Sequence, residues 1–371
     1  MSKQVNIALV GCGRVAYKHL SAIDELGDEA RLVAVCDIDA ARAPDRDVPF
    51  YQDYHEMLKA HPEIDLVNVL VPTGYHADVV VDLARYGRHI LTEKPMALTV
   101  ADCDRMIDAC KENNIRLFVV YQNRYNDAVR AARKAFDEGR FGKIVMGTVR
   151  VRWCRYQSYY EQDNWHGTWA LDGGVMSQQS SHHIDLLQYF FGPIETVQCQ
   201  HATRLLDIEV EDTAAALFKF KDGSLGVFEA TVATRPDNLE GSLSILGEKG
   251  TVEIGGIAVN AIKIWNFTES QEGDDSIQNL ASKEVANVYG HGHTHNLHDV
   301  IRSIRDEIDI PSLCTGENGR ENIKTLTSLY ESAASNGRML KPGAAPRYSR
   351  LGRVDDAEVF REDADCLEQA G

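Results

Sequence analysis

Two side chains able to hold or move a proton stand out by their settings, Lys94 and His182. Lys94 lies in Glu93-Lys94-Pro95, directly after the short apolar run His89-Ile90-Leu91-Thr92, which reads as a strand. Ligands of open α/β sheets bind beyond the carboxyl ends of the strands. A lysine held there by a following proline is placed to meet such a ligand, whereas a Lys-Pro pair elsewhere is an ordinary surface turn. His182 lies in Gly173-Gly174-Val175-Met176-Ser177-Gln178-Gln179-Ser180-Ser181-His182-His183-Ile184-Asp185, ahead of the apolar Leu186-Leu187-Gln188-Tyr189-Phe190. Gln178, His182 and Asp185 follow i, i+4, i+7 spacing and share one helix face, which is either solvated or part of a site. An imidazole there, with an ordinary pKa of ~6.5, suits general acid–base work.

The elements that must position these groups begin with Val5-Asn6-Ile7-Ala8-Leu9-Val10, a run of strand length. Gly11-Cys12-Gly13-Arg14-Val15-Ala16 follows, then a helix over about residues 15–26, so the G-x-G-x-x-A pattern has its strand–turn–helix context. Gly11 allows the tight turn and Gly13 lets the backbone approach a pyrophosphate at the helix N-terminus. Ala16 keeps the helix close to the sheet. The next strand, Arg31-Leu32-Val33-Ala34-Val35-Cys36, ends in Asp37, 21 residues after Ala16. A carboxylate there binds ribose hydroxyls and repels a 2′-phosphate, so the expected cofactor is NAD rather than NADP. A strand over 64–70 ends at Val71-Pro72-Thr73, and the helix after it carries His76. The strand at Ile90, a helix over about 100–113 and a strand over 116–121 complete the alternation. This is the pattern of a Rossmann, doubly wound parallel sheet, placed at residues 1–123. The expected cofactor contacts are Gly11, Gly13, Arg14, Val15, Asp37, Pro72, Thr73, His76, Glu93, Lys94 and Gln122.

Residues 124–340 change in texture: a helix over about 127–138, a long strand over 144–153, and six further strand signals between 196 and 267. These predict a second α/β domain with a large open, mainly antiparallel sheet. Residues 341–371 open with Pro342-Gly343-Ala344-Ala345-Pro346 and gather Asp355, Asp356, Glu358, Glu362, Asp363 and Asp365, the composition of a flexible or loosely docked acidic tail. The net charge of −17 opposes nucleic-acid and anionic-membrane partners, and an anionic substrate would need a local basic patch. Scattered cysteines and an opening Met1-Ser2-Lys3-Gln4 that runs straight into a strand predict a cytoplasmic protein without a signal peptide. His291-x-His293-x-His295-x-x-His298 has a spacing that could bring His291 and His295, or His295 and His298, to one helix face as a metal site would, but no metal is expected.

Gly11-x-Gly13-x-x-Ala16, Glu93-Lys94-Pro95 and Gly173-Gly174 with His182-x-x-Asp185, in this order, resemble the Gfo/Idh/MocA oxidoreductase family. The resemblance implies an active site between Lys94 and the His182 helix, a cis Lys-Pro bond, and homo-oligomers (dimer or tetramer) built through the open sheet. Many members place an aspartate where this chain has Gln178, so the Asp/His pair typical of inositol dehydrogenases is absent. Tyr159-Tyr160, Trp165-His166-Gly167-Thr168-Trp169, Asp172-Gly173-Gly174, Gln178-Gln179-x-Ser181-His182 and Gln122-Asn123-Arg124 resemble the subgroup that oxidises UDP-N-acetyl-2-amino-2-deoxy-D-glucuronate at C3, on the way to bacterial surface polysaccharides. That implies a UDP-sugar substrate. Asn123, Arg124, Arg152 and Arg155 are the expected contacts to phosphate and carboxylate, which arginine forks suit. Tyr159, Tyr160 and Trp165 are expected to stack, and His166, Gln178 and Gln179 to complete the pocket. Lys94 and His182 are the expected catalytic pair, either one as the base. The alternatives are a dehydrogenase or reductase of a free sugar, inositol or dTDP-ketosugar, and a dinucleotide sensor without catalysis.

Overall fold

The computed structural model describes residues 4–285, 287–343 and 349–352. The first sheet holds β1 (Val5–Val10), β2 (Ala30–Cys36), β3 (Phe50–Tyr51), β4 (Leu66–Val69), β5 (His89–Thr92) and β6 (Leu117–Val119). These six are parallel, in the order β3-β2-β1-β4-β5-β6. Helices on both faces leave no solvated side, which is why β4 and β6 are buried at every position. The strand order reverses between β1 and β4, and the crevice beyond their carboxyl ends is the binding position of a doubly wound fold.

The second sheet holds β7 (Ile144–Arg152), β8 (Ile194–Ala202), β9 (Thr213–Phe220), β10 (Leu225–Thr231), β11 (Glu240–Gly247), β12 (Gly250–Gly255) and β13 (Ala261–Phe267). Its order is β13-β12-β11-β7-β10-β9-β8, antiparallel throughout except for the parallel pair β7 and β10. Burial alternates along β9, so only one face is covered. The helix Ser181–Phe191 covers it so closely that a Cβ on Gly147 would lie 2.2 Å from the Phe191 ring. The period-two alternation puts Arg150 and Arg152 on the opposite face, where Arg152 bonds Glu229 (2.6 Å) and Glu240 (3.2 Å). Arg152 therefore faces away from the His182 helix, a correction to its expected substrate role.

The chain then returns to the first sheet. The helix Gly292–Arg305 packs on the helix Ala16–Leu26, and β14 (Cys314–Thr315) pairs antiparallel with β6. A single cut at residue 123 thus leaves β14 and its helix on the wrong side. Local periodicity marks elements, not the sheet they join. Of the predicted tail, 341–343 and 349–352 are described, and the acidic cluster lies outside the described residues. Leu351 is buried, and the Gly352 N–H donates to the Trp169 carbonyl at 2.9 Å. No helix among the described residues is long and apolar enough to cross a membrane.

Candidate active site

The turn after β1 is built for close approach. Gly11 has φ +102, and a Cβ there would lie 2.7 Å from the Leu70 carbonyl carbon, so only glycine fits. Over Gly13 the space is open, the nearest atom to a Cβ being an Arg42 nitrogen at 3.6 Å. The helix Ala16–Leu26 starts after Val15 without a side-chain cap, its Ala16 and Lys18 N–H groups donating to the Gly13 (3.1 Å) and Val15 (2.9 Å) carbonyls, and its positive end faces the turn where a pyrophosphate would sit. Asp37 accepts the Cys12 N–H at 2.7 Å and the Asp39 N–H at 2.9 Å. A carboxylate has about four acceptor sites, which leaves lone pairs for ribose hydroxyls. These features fit NAD.

Two expected cofactor contacts serve the lysine turn instead. His76 is buried with its ring nitrogens 3.0 Å from the Pro95 carbonyl and 2.8 Å from that of Val71. It braces the cis Lys94-Pro95 bond. Glu93 points inward: Oε1 meets His19 Nε2 at 2.9 Å, and Oε2 accepts the Lys94 N–H at 3.2 Å. Ligand atoms of His19, Glu93 and His293 lie within 4.8 Å of one another. His293 therefore sits beside the lysine turn, while His291 and His298 bond elsewhere, to Glu284 and Glu29. Thr73 is buried in the turn after β4, behind Pro72, and the Gly74 N–H donates to the Leu171 carbonyl of the second domain at 3.0 Å.

Lys94 Nζ donates to the Gln178 carbonyl at 2.7 Å and to its Oε1 at 3.3 Å. Gln178 is carried by a π-helical turn, Val175–Gln179, closed by Ser180 N–H donating to the Val175 carbonyl at 2.9 Å. Such turns insert an extra residue and re-aim side chains. Glu211 clamps this one, accepting the Met176 N–H and the Tyr330 hydroxyl, each at 2.9 Å. His182 is buried as the second residue of the following helix, Ser181–Phe191, edge-on to the Tyr121 ring at 5.6 Å, with Nδ1 unpartnered. Burial, and then the Lys94 charge, hold its pKa well below the ordinary value, so the imidazole is a neutral acceptor. Burial lowers the Lys94 pKa as well, opposed by Glu93 and Asp172.

Asp172 entered the sequence reading only as part of Asp172-Gly173-Gly174, with no role of its own, yet it lies in the candidate site. It is fully buried, one oxygen accepts the Gly167 N–H at 2.8 Å, and the other has no partner. Burial pushes its carboxyl well above the usual range, with the Lys94 charge acting the other way. The signal available was a carboxylate directly before Gly173-Gly174.

Of the expected substrate residues, Arg124 is engaged elsewhere. It is buried and forks onto Asp185, with Nε at 2.7 Å, and Asn322 donates to the same carboxylate at 2.7 Å. This corrects both Arg124 and the shared face, since Asp185 ties the His182 helix to the core. Arg155 lies 5.3 Å from the Tyr159 ring centre, and Arg14 reaches the same ring at 4.7 Å from the first domain. Trp165 stacks on His166, whose Nδ1 meets Asp163 at 2.7 Å. Gln122, Asn123, Tyr160 and Gln179 carry buried polar atoms without partners, as do Asp172 and His182. Buried polar groups are normally paired, so this concentration between the domains matches a polar ligand.

Two family comparisons cover most of the chain. Residues 5–121 match the oxidoreductase family NAD-binding Rossmann fold, and residues 129–253 match the GFO/IDH/MocA C-terminal domain. The WlbA dehydrogenase from Bordetella pertussis, solved in complex with NADH and UDP-GlcNAcA, is 39% identical, with 91% of this chain and 98% of that chain covered at a TM-score of 0.86. The WlbA enzyme from Chromobacterium violaceum, solved with the same two ligands, is 38% identical over 93% of this chain and 98% of its own, at a TM-score of 0.85. A myo-inositol 2-dehydrogenase from Thermotoga maritima is 27% identical over 61% of this chain and 68% of its own length. The chain belongs to the Gfo/Idh/MocA family and is an NAD-dependent oxidoreductase.

Proposed function

We propose that the protein oxidises the C3 hydroxyl of UDP-N-acetyl-2-amino-2-deoxy-D-glucuronate to the 3-keto sugar, a step toward bacterial surface polysaccharides. The observation that carries this reading is the near full-length 39% identity to a dehydrogenase solved with UDP-GlcNAcA. The site agrees with it in one respect: Gln178 puts an amide, not a carboxylate, against Lys94 Nζ. The C3 hydroxyl lies between Lys94 and His182. Neutral His182 takes the hydroxyl proton, and Lys94, aimed by Gln178, donates a hydrogen bond to the developing alkoxide. NAD, when bound, supplies the hydride acceptor. The open face of the second sheet, with its Arg152, Glu229 and Glu240 network, is the surface through which copies associate in this reading.

The test is NADH formation with UDP-GlcNAcA, myo-inositol and levoglucosan in parallel, with a 2-oxo acid added in a second series to recycle retained cofactor. Turnover confined to the nucleotide sugar is expected. Turnover of inositol or levoglucosan without turnover of UDP-GlcNAcA overturns the reading.

A further inference from the structure

We propose that Leu351 and Gly352 are positioning residues of the active site, in a C-terminal strap that fastens the loop between Tyr160 and Val175 to the chain leaving Lys94. The inference rests on the Lys94 site and not on which sugar is oxidised there. The loop needs an external hold. Between the helix Gln157–Tyr160 and the π-helical turn Val175–Gln179, no residue is helical or in a strand. Stretches of this length without secondary structure are uncommon in a compact domain and are usually functional. This one carries two groups that feel the Lys94 charge, the His166 ring and the Asp172 carboxyl. Its own bonds close it on itself, with the Asp172 and Gly173 N–H groups both donating to the Thr168 carbonyl, at 3.2 and 2.8 Å. Glu209 ties it to the second domain by accepting the Trp169 N–H at 3.0 Å. How the loop meets the lysine is set by its bonds to the first domain.

Two backbone N–H groups from distant segments take alternate carbonyls of the loop. Gly74, in the turn after β4, donates to the Leu171 carbonyl at 3.0 Å, and Gly352 donates to the Trp169 carbonyl at 2.9 Å. Both approaches are close. A Cβ on Gly74 would lie 2.7 Å from the Ala170 carbonyl oxygen, and a Cβ on Gly173 would lie 2.8 Å from Leu351 Cδ2. Leu351 is buried, and the Arg350 guanidinium lies 5.1 Å from the Trp169 ring centre. Asp172 is thus held from both sides, with Leu171 gripped by Gly74 and Gly173 covered by Leu351. On its other side the strap rests on the first domain. A Cβ on Gly352 would lie 3.0 Å from Thr99 Cγ2 and 3.3 Å from Leu98 Cβ. Thr99 is a firm base, because it caps the helix Val100–Glu112 by accepting the Asp102 N–H at 3.1 Å. Met96, Ala97 and Leu98, which join it to Lys94-Pro95, are all buried. The strap therefore links the loop that carries Asp172 to the segment that carries Lys94.

Two measurements on full-length variants test this: amide hydrogen exchange, and steady-state kinetics with whichever of UDP-GlcNAcA, myo-inositol and levoglucosan the wild type oxidises. Leu351→Ala removes the cover from Gly173, and Gly352→Val forces a β-branched side chain to φ +74 against Thr99. In both, exchange is expected to rise over residues 165–175 and 72–76 and to stay at the wild-type level over β9 and β10. The kcat/KM for the sugar is expected to fall ~10- to 100-fold at a temperature where the variant is folded, with NADH affinity unchanged. Leu351→Met should keep wild-type kinetics, because it refills the same volume. A segment that only adds stability would lower the unfolding temperature and leave kcat and KM of the folded protein as they are. That result, or unchanged exchange over residues 165–175, overturns the proposal. Gly352 is exposed, so its variant keeps the test valid if Leu351→Ala fails to fold. A wild type that oxidises none of the three sugars overturns the function proposed above and leaves the exchange measurement to decide the strap.

Discussion

Glu211→Gln should make the protein's stability less dependent on pH, by an amount the structure sets. Glu211 is buried against the turn that carries Gln178, and a Cβ on Gly174 would lie 2.2 Å from its carboxyl carbon. Burial raises its pKa from 4.5 to about 7, against the pull of the Met176 N–H and the Tyr330 hydroxyl. A carboxyl whose folded pKa lies above its unfolded value binds its proton more tightly when folded. Its contribution is fully present below the unfolded pKa of 4.5 and is lost as pH rises through about 7. At about 1.4 kcal/mol per unit, the loss across that window is roughly 3 kcal/mol. In the Gln variant, Oε1 keeps both hydrogen bonds and the amide nitrogen replaces an oxygen that has no partner. That buried, unpaired N–H costs about 1–3 kcal/mol at every pH. Urea unfolding of both proteins at about pH 5 and about pH 8 reads the difference. The stability gap should move toward the variant by roughly 2.5 kcal/mol between the two pH values, less than the full window because the unfolded carboxyl is already largely ionised at about pH 5. A gap that stays the same would show that Glu211 does not carry a raised pKa in the folded state.

Two further outcomes follow from the site. His182→Asn should lower turnover ~10²–10⁴-fold with NAD affinity unchanged, measured by steady-state kinetics and cofactor titration, and near-normal turnover would remove His182 from the proton path. Arg124→Met should cost about 3–5 kcal/mol in denaturant unfolding, because Asp185 is left buried without its cationic partner. The double variant with Asp185→Leu should cost less than the sum of the two single changes. Additive costs would mean that the fork is not a coupled pair.

The parts of the site legible in the chain are those set by neighbours in sequence. Gly11 and Asp37 were readable because a tight turn with φ +102 and a strand-end carboxylate are local demands on the backbone. Lys94 was readable because β5 ends where the apolar run ends. His76 and Glu93 carry the right residue types, yet they hold the lysine turn, through the Pro95 carbonyl and a histidine far from them in sequence. Asp172 was hidden because its chemistry comes from complete burial, which no local pattern reveals.

By itself, then, the sequence determined the Rossmann order, the NAD turn, the alternating second sheet and the positions of Lys94 and His182. All of these depend on periodicity and on backbone geometry over a few residues. The tertiary structure decided which charges are free to meet a ligand. Arg124, Arg152 and Arg155 look alike in the chain. Two of them fold against carboxylates, Asp185 and Glu229, while the third folds against an amide and a carbonyl. An ion pair depends on a partner brought close by packing, so whether an arginine is neutralised or available is settled only when distant segments meet.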